Sequence, residues 1–289
     1  MRMIQERATA RHGRMRRANA AIAAVLVVFA VMIVAKLGGA GEGGGGEQAS
    51  PFPTGDAAAA IVTTLTSVPP AVLDQVGTGS AEVLPQPVTG QQVLTDGGKP
   101  LVLYVGAEYC PFCAAQRWPV VVALSRFGTF SGLTITASAS DDVYPNTPTV
   151  SFHGSTYTSD VLTFQGVETS SRTRKGGSYT PLDQLTPQQA QLVQKFNAPP
   201  YVDAKSAGSI PFIDFANQAI AGGASFSPQL LAGMTAQQVA TALSDPGSPV
   251  AKAVNGNANA ITAVLCKLTA GKPANVCTTP AVTAFQGKV

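Results

Sequence analysis

Cys110 and Cys113 stand two residues apart in the run YVGAEYCPFCAAQRW (Tyr104–Trp118). That spacing serves two unrelated chemistries. It can be half of a zinc site, or a dithiol that makes and breaks disulfides. Zinc needs four ligands at workable spacing. The only other cysteines, Cys266 and Cys277, have ten residues between them, and the only histidines are His12 and His153. No metal is expected. A purely structural local disulfide is the remaining alternative to a redox pair.

The elements around the pair favour redox work. PLVLYVGA (Pro100–Ala107) is short, apolar and bounded by proline and glycine, the pattern of a buried strand. CPFCAAQRWPVVVALSRFG (Cys110–Gly128) reads as a helix, with Pro111 in its first turn, Gly128 as its cap and Pro119 inside it as a kink. Cys110 then falls at the N-cap. There the unpaired N–H groups carry partial positive charge and stabilise a thiolate. Cys113 follows one turn later on the same face. Cys110 is the expected nucleophile and Cys113 the thiol that resolves a mixed disulfide.

The next strand is expected at LTITASAS (Leu133–Ser140), parallel to the first in a βαβ unit. TVSFHGSTY (Thr149–Tyr157) and DVLTFQGVET (Asp160–Thr169) read as short or edge strands. SSRTRKGGSYTP (Ser170–Pro181) reads as a mobile polar loop carrying Arg172, Arg174 and Lys175. Helices are expected at Asp56–Val68, Leu185–Asn197, Met234–Ser244 and Pro249–Gly271, and two strands around a turn at Ala216–Asn217. The order implies an α/β fold with one mixed sheet. Trp118 reads as core or as a shelf beside the site, and His153 as a surface or satisfied histidine.

Charge is unevenly placed. The net charge of +3 is made of +5 in residues 1–17, which hold six arginines and one acid, and −2 in the rest. The body therefore carries no basic footprint, and no nucleic-acid binding is expected. Ala20–Ala35 is an uninterrupted apolar run, and with its flanks (residues 18–37) it reaches the length of one membrane span. The arginines precede it, so the positive-inside rule leaves the tail in the cytoplasm and the body outside. A cleaved signal peptide is the alternative, and both readings export the body. Outside the cytoplasm an even cysteine count favours disulfides, and proximity pairs Cys110 with Cys113 and Cys266 with Cys277.

LVLYVGAEYCPFC, the proline inside the following helix and SIPFIDF (Ser209–Phe215) together resemble the thioredoxin superfamily. The resemblance implies a cis-proline at Pro211, facing the sulfurs. It implies that Ile210 presents its backbone to an extended substrate segment, with Pro111 and Phe112 completing the contact. More narrowly, GAEYCPFC, ALSRFGTF (Ala123–Phe130), DVYPNTPT (Asp142–Thr149) and LCKLTAGKPANVC (Leu265–Cys277) resemble a domain-of-unknown-function family of membrane-anchored thioredoxin-like proteins. The thioredoxin pattern often places a buried acid six residues before the first cysteine; here that residue is Tyr104. Glu108 is the nearest acid in sequence and reads as a solvated charge.

The expected architecture is a thioredoxin-like mixed sheet flanked by helices, with helical insertions, preceded by one transmembrane helix. The divisions are a basic tail (1–17), an anchor (18–37), a Gly/Pro-rich linker (38–55) and an extracytoplasmic domain (56–289). That domain has an insertion at about 170–205 and a C-terminal helical, disulfide-bonded segment. The expected function is a membrane-anchored thiol–disulfide oxidoreductase that needs no cofactor. It acts on thiols and disulfides of exported proteins with a redox partner that the sequence does not specify. The alternative is a binding or assembly module in which CPFC is a non-catalytic bridge.

Overall fold

The computed structural model describes residues 52–289. The expected tail and anchor, and most of the linker, lie outside the described residues. Among the described residues, no single helix is long and apolar enough to cross a membrane.

The fold is mixed α/β, with a mixed sheet between helices. Two helices come first, α1 (Gly55–Thr66) and α2 (Pro70–Val76), with Pro69 as the N-cap of the second. Short strands β1 (Gln86–Pro87) and β2 (Thr95–Asp96) lead into the central strand β3 (Lys99–Gly106). Helix α3 (Pro111–Leu124) follows directly. Then come β4 (Thr129–Ser131), β5 (Thr134–Ala137), β6 (Pro148–Ser151), β7 (Thr156–Thr158) and β8 (Thr163–Glu168). A hairpin, β9 (Ser170–Lys175) and β10 (Ser178–Pro181), precedes α4 (Pro187–Phe196). Strands β11 (Phe212–Phe215) and β12 (Ala219–Gly222) complete the sheet; α5 (Ala236–Ala242) and α6 (Pro249–Leu268) follow. Two short turns of helix close the chain, α7 (Ala274–Cys277) and α8 (Pro280–Thr283).

In the main sheet the order runs β1-β12-β11-β3, and the far edge of β3 is shared by β2 and β8. Only β8 is parallel to β3, with Leu101 opposite Thr163 and Gly106 opposite Glu168. Here the structure corrects the sequence reading. Residues 134–137 pair antiparallel with β6 in a separate two-stranded sheet. The crossover from β3 returns only at β8, which starts at Thr163, well after α3 ends at Leu124. LTITASAS holds a hairpin strand, buried from Ile135 to Ala139, rather than the parallel neighbour.

Both faces of β3 are covered, which is why it reads as a continuous apolar run. Val102 and Tyr104 join the larger core with Trp118, Val121 and the helices α1, α5 and α6. Leu103 and Val105 turn to the other face, against Val167, Leu192 and Val193. Helix α3 is buried at every position but Phe112, so it has no polar face to show solvent. It runs through Pro119 and ends at Leu124, before the expected cap. Gly128 has a different reason to be glycine: a Cβ there would come within 2.3 Å of the Thr158 carbonyl oxygen.

The helix at 185–197 and the one at 234–244 both open with full capping boxes, Thr186 with Gln189 and Thr235 with Gln238. Ala216 and Asn217 take positive φ in the β11–β12 turn. The segment Ser170–Pro181 is not a loop but the β9–β10 hairpin. Arg172 bonds the carbonyls of Ala137 and Ser138 and the Asn146 side chain. Arg174 pairs with Asp141 at 3.1 Å. Trp118 is fully buried and donates to the Pro148 carbonyl. His153 sits 2.7 Å from Asp183.

Candidate functional site

Cys110 ends the turn after β3 and is the N-cap of α3, with extended backbone (φ −77°, ψ 122°). Its sulfur accepts the Cys113 backbone N–H at 3.4 Å, satisfying one of the orphan donors of the helix start. Pro111 fills the first helical position, where no N–H is needed. Cys110 is 7% exposed and Cys113 is fully buried; neither is disulfide-bonded. Phe112, between them, is 39% exposed and rests edge-on against Tyr144.

The two thiols are electrostatically unequal. A hydrogen bond from the Cys113 side chain holds the Cys110 pKa down, against burial. The backbone N–H groups of Cys113 and Phe112 and the charge of Arg117 add to it, and the result is about 7. Cys113 is pushed well up by burial, then by its bond and charge interaction with Cys110; Arg117 opposes that rise. At neutral pH the pair can therefore hold one thiolate, on Cys110, and one thiol, on Cys113.

Opposite the dithiol, the Ile210–Pro211 peptide bond is cis. The Cys110 thiol points at the Ile210 carbonyl oxygen, 3.9 Å away. The structure thus brings Cys110, Cys113, Pro111, Phe112, Ile210 and Pro211 together around one sulfur. A cleft of about 440 Å³ opens beside this loop, bounded by Gln116, Tyr201, Asp203, Ser209, Ile220 and Gly223. On another side stands the β9–β10 hairpin, where Tyr179 stacks flat on Tyr109 at 4.0 Å.

In the sequence, Tyr104 and Glu108 are the groups that stand out nearest the pair. Glu108 is half-buried and lines a separate cavity with the start of α1. Its backbone N–H donates to the Ser170 carbonyl of the hairpin at 2.8 Å. Tyr104 lies beneath the sulfurs. Its hydroxyl is 3.5 Å from the Cys113 carbonyl oxygen. Gly106 makes room for it, since a Cβ at Gly106 would lie 2.6 Å from that hydroxyl. Burial raises the Tyr104 pKa well above the usual phenol value, so the group stays neutral.

Two charged residues at this site were not anticipated from the sequence. Arg117 and Glu168 are both fully buried and form a two-point ion pair, with Nε to Oε1 at 2.7 Å and Nη2 to Oε2 at 2.6 Å. Arg117 Nη2 also donates to the Ala107 carbonyl at 2.8 Å, and Glu168 accepts the Phe152 N–H. Burial works against both charges. At Arg117 the Glu168 carboxylate overrides it and the pKa rises; at Glu168 burial outweighs the guanidinium and the pKa rises too. The fork geometry is that of a carboxylate on a guanidinium, an ion pair.

Cys266 and Cys277 are joined by a disulfide between the last turn of α6 and α7, with a sequence separation of 11. Among the described residues, no three His, Cys, Asp or Glu side chains gather where they could hold a metal.

Residues 88–267 match a family described as a domain of unknown function (DUF929). No curated protein matches the chain, and no solved structure matches it.

Proposed function

The chain belongs to the DUF929 family, and we propose that it is a thioredoxin-like thiol–disulfide oxidoreductase working outside the cytoplasm. In this reading a single N-terminal helix anchors it in the cell membrane, with the N-terminus cytoplasmic. Its substrates are thiols and disulfides of exported proteins, and a separate redox partner resets the dithiol. The observation that carries the reading is the placement of Cys110: an N-cap sulfur with its pKa lowered to about 7, beside a fully buried second thiol and 3.9 Å from the carbonyl before a cis-proline.

The chemistry balances without a cofactor. The Cys110 thiolate attacks one sulfur of a substrate disulfide. A Cys110–substrate bond forms, the substrate S–S bond breaks, and the departing thiolate takes up a proton. Cys113 then loses its proton and attacks the Cys110 sulfur. The Cys110–Cys113 disulfide forms and the second substrate thiol leaves, so two electrons pass to the substrate. Run backwards, the same steps oxidise a substrate dithiol. The redox partner decides the direction.

A second reading has one observation in its favour. Cys110 is only 7% exposed, and the β9–β10 hairpin walls the site through the Tyr109–Tyr179 stack. That suits a binding or assembly module in which CPFC is a non-catalytic pair. A disulfide-reduction or refolding assay on the full chain separates the two. The redox reading expects turnover by the wild type and none by Cys110→Ser. It also expects Cys113→Ser to capture exported proteins as mixed disulfides. Equal background rates for wild type and Cys110→Ser leave the binding module.

A further inference from the structure

The buried pair Arg117–Glu168 is an odd tenant for an apolar helix. Replacing such a pair with well-packed apolar residues is often neutral or stabilising, so stability alone is a weak account of it. Its place is more informative. Arg117 is four residues after Cys113, one turn along the same face of α3. Its Nε and Nη2 are committed to Glu168 and Ala107. Its Nη1 is buried and has no hydrogen-bond partner. The guanidinium lies 6.0 Å from the centre of the Tyr104 ring, which packs under the dithiol.

We propose that Arg117, held by Glu168, is a positioning residue for the dithiol, supplying the positive charge that makes a buried Cys113 thiolate tolerable during resolution of the mixed disulfide. This rests on the redox reading above. In the resolving step a charge must appear on a sulfur that is fully buried. The position that would carry an acid in the thioredoxin pattern is the neutral Tyr104, which offers no base.

The titratable groups around the sulfurs are few. Tyr104 comes from β3, Glu108 and Tyr109 from the turn before α3, Glu168 from β8 and Arg117 from α3 itself; Glu108 lines the separate cavity beside α1. Both tyrosines have raised pKa values, with burial the first cause, and stay neutral near pH 7. Glu168 grips Arg117 rather than either sulfur. That leaves Arg117 as the cation that acts on Cys110 and Cys113 alike. Glu168 fixes its orientation and partly offsets its charge.

The test reads charge rather than turnover. In the full chain carrying Cys110→Ser, the Cys113 thiolate is titrated by its ultraviolet absorbance. Arg117→Met should raise the Cys113 titration midpoint. Glu168→Gln, which leaves the guanidinium uncompensated, should lower it. Opposite signs are the signature; a merely structural role moves both the same way or neither. With both cysteines present, Arg117→Met should slow resolution of a preformed mixed disulfide about tenfold, the equivalent of one pKa unit. Arg117→Lys should restore most of that loss.

A Cys113 midpoint and resolution rate unchanged in Arg117→Met overturn the proposal. If Arg117→Met fails to fold, Glu168→Gln decides: an unchanged or raised midpoint overturns it. Failure of the redox reading would look different. A wild type that resolves no mixed disulfide, yet shows the opposed titration shifts, would keep the charge device and remove the reaction.

Discussion

Cys110 and Cys113 sit at the start of a helix; Cys266 sits in the last turn of one. At the start of α3, unpaired N–H groups face the first sulfur and support negative charge on it. At the end of α6 the helix presents the negative end of its dipole, which opposes a thiolate. The first pair lies within one turn, beside a buried guanidinium. The second spans a Gly-Lys-Pro turn and ties α6 to α7, close to the chain terminus. On the proposed redox reading, the same atoms serve exchange in one place and are a staple in the other. What separates them is the local field and the length of chain between them.

The largest expected effect breaks the comparison at its chemical end. In a disulfide-reduction assay on the full chain, Cys110→Ser should fall to background. The double variant Cys266→Ser/Cys277→Ser should stay within about twofold of the wild type, because the two pairs share no partner. Equal losses from both would mean that the second pair relays electrons to the first. Mass mapping that found Cys266 or Cys277 joined to Cys110 would say the same.

The next effect is thermodynamic and falls on the staple. Closing a loop of this length stabilises by about 2–3 kcal/mol, mainly through the unfolded state. Loss of the Cys266–Cys277 bond should shift the folding equilibrium by roughly 30- to 150-fold. Denaturant unfolding of Cys266→Ser/Cys277→Ser measures it. An unchanged midpoint would show that packing of α7 and α8, not the bridge, holds the terminus.

How far each region was legible in the sequence follows the range of the interactions involved. The Cys110 N-cap, Pro111, the N-cap at Thr186, the capping box at Thr235 and the Ala216–Asn217 turn are local, and local residue types report them. Their spacing contains the answer. The error at LTITASAS was one of pairing. A buried strand in a hairpin and a strand in a parallel sheet carry similar short apolar patterns, and which partner they choose is settled by distant residues. That error hid the buried ion pair. Arg117 alone was a visible anomaly, an arginine in the otherwise apolar run CAAQRWPVVVAL, and such a charge must find an acid. Glu168 could be found only by knowing that β8 lies beside β3, with Glu168 opposite Gly106. The β9–β10 hairpin was missed for a related reason: its polar, glycine-rich composition is that of a loop, and it forms against the Glu108 and Tyr109 turn rather than on its own apolar face.

A smaller effect, about tenfold, concerns pH. With the Cys110 pKa near 7, its alkylation rate should rise about tenfold from pH 6 to pH 8, half-maximal near 7. Cys113, with its pKa raised, should stay unreactive over that range. A thiol whose pKa is lowered on folding stabilises the reduced protein above the ordinary thiol pKa, and that contribution is lost as pH falls through about 7. Alkylation mapped by mass spectrometry checks it; equal reactivity of the two thiols would erase the inequality on which the redox reading stands.

The smallest effect sharpens the comparison within the site itself. Phe112 lies between the sulfurs and can neither donate a hydrogen bond nor carry charge. The reduction potential should therefore lie in the glutaredoxin range, about −200 to −230 mV, in equilibrium with glutathione buffers. A wild type as high as about −120 mV would remove that premise. Phe112→His places a titratable donor beside the Cys110 thiolate and favours the reduced state, so the potential should rise. For a two-electron couple a tenfold change in equilibrium is about 30 mV. Position 112 is 39% exposed, so water screens the new charge and the rise should be smaller than that. Phe112→Ala is the control. It removes the edge contact with Tyr144 without adding a donor, and should leave the potential in place. If alanine raises it as much as histidine does, the Phe112–Tyr144 contact, not the charge at the helix start, sets the poise of the dithiol.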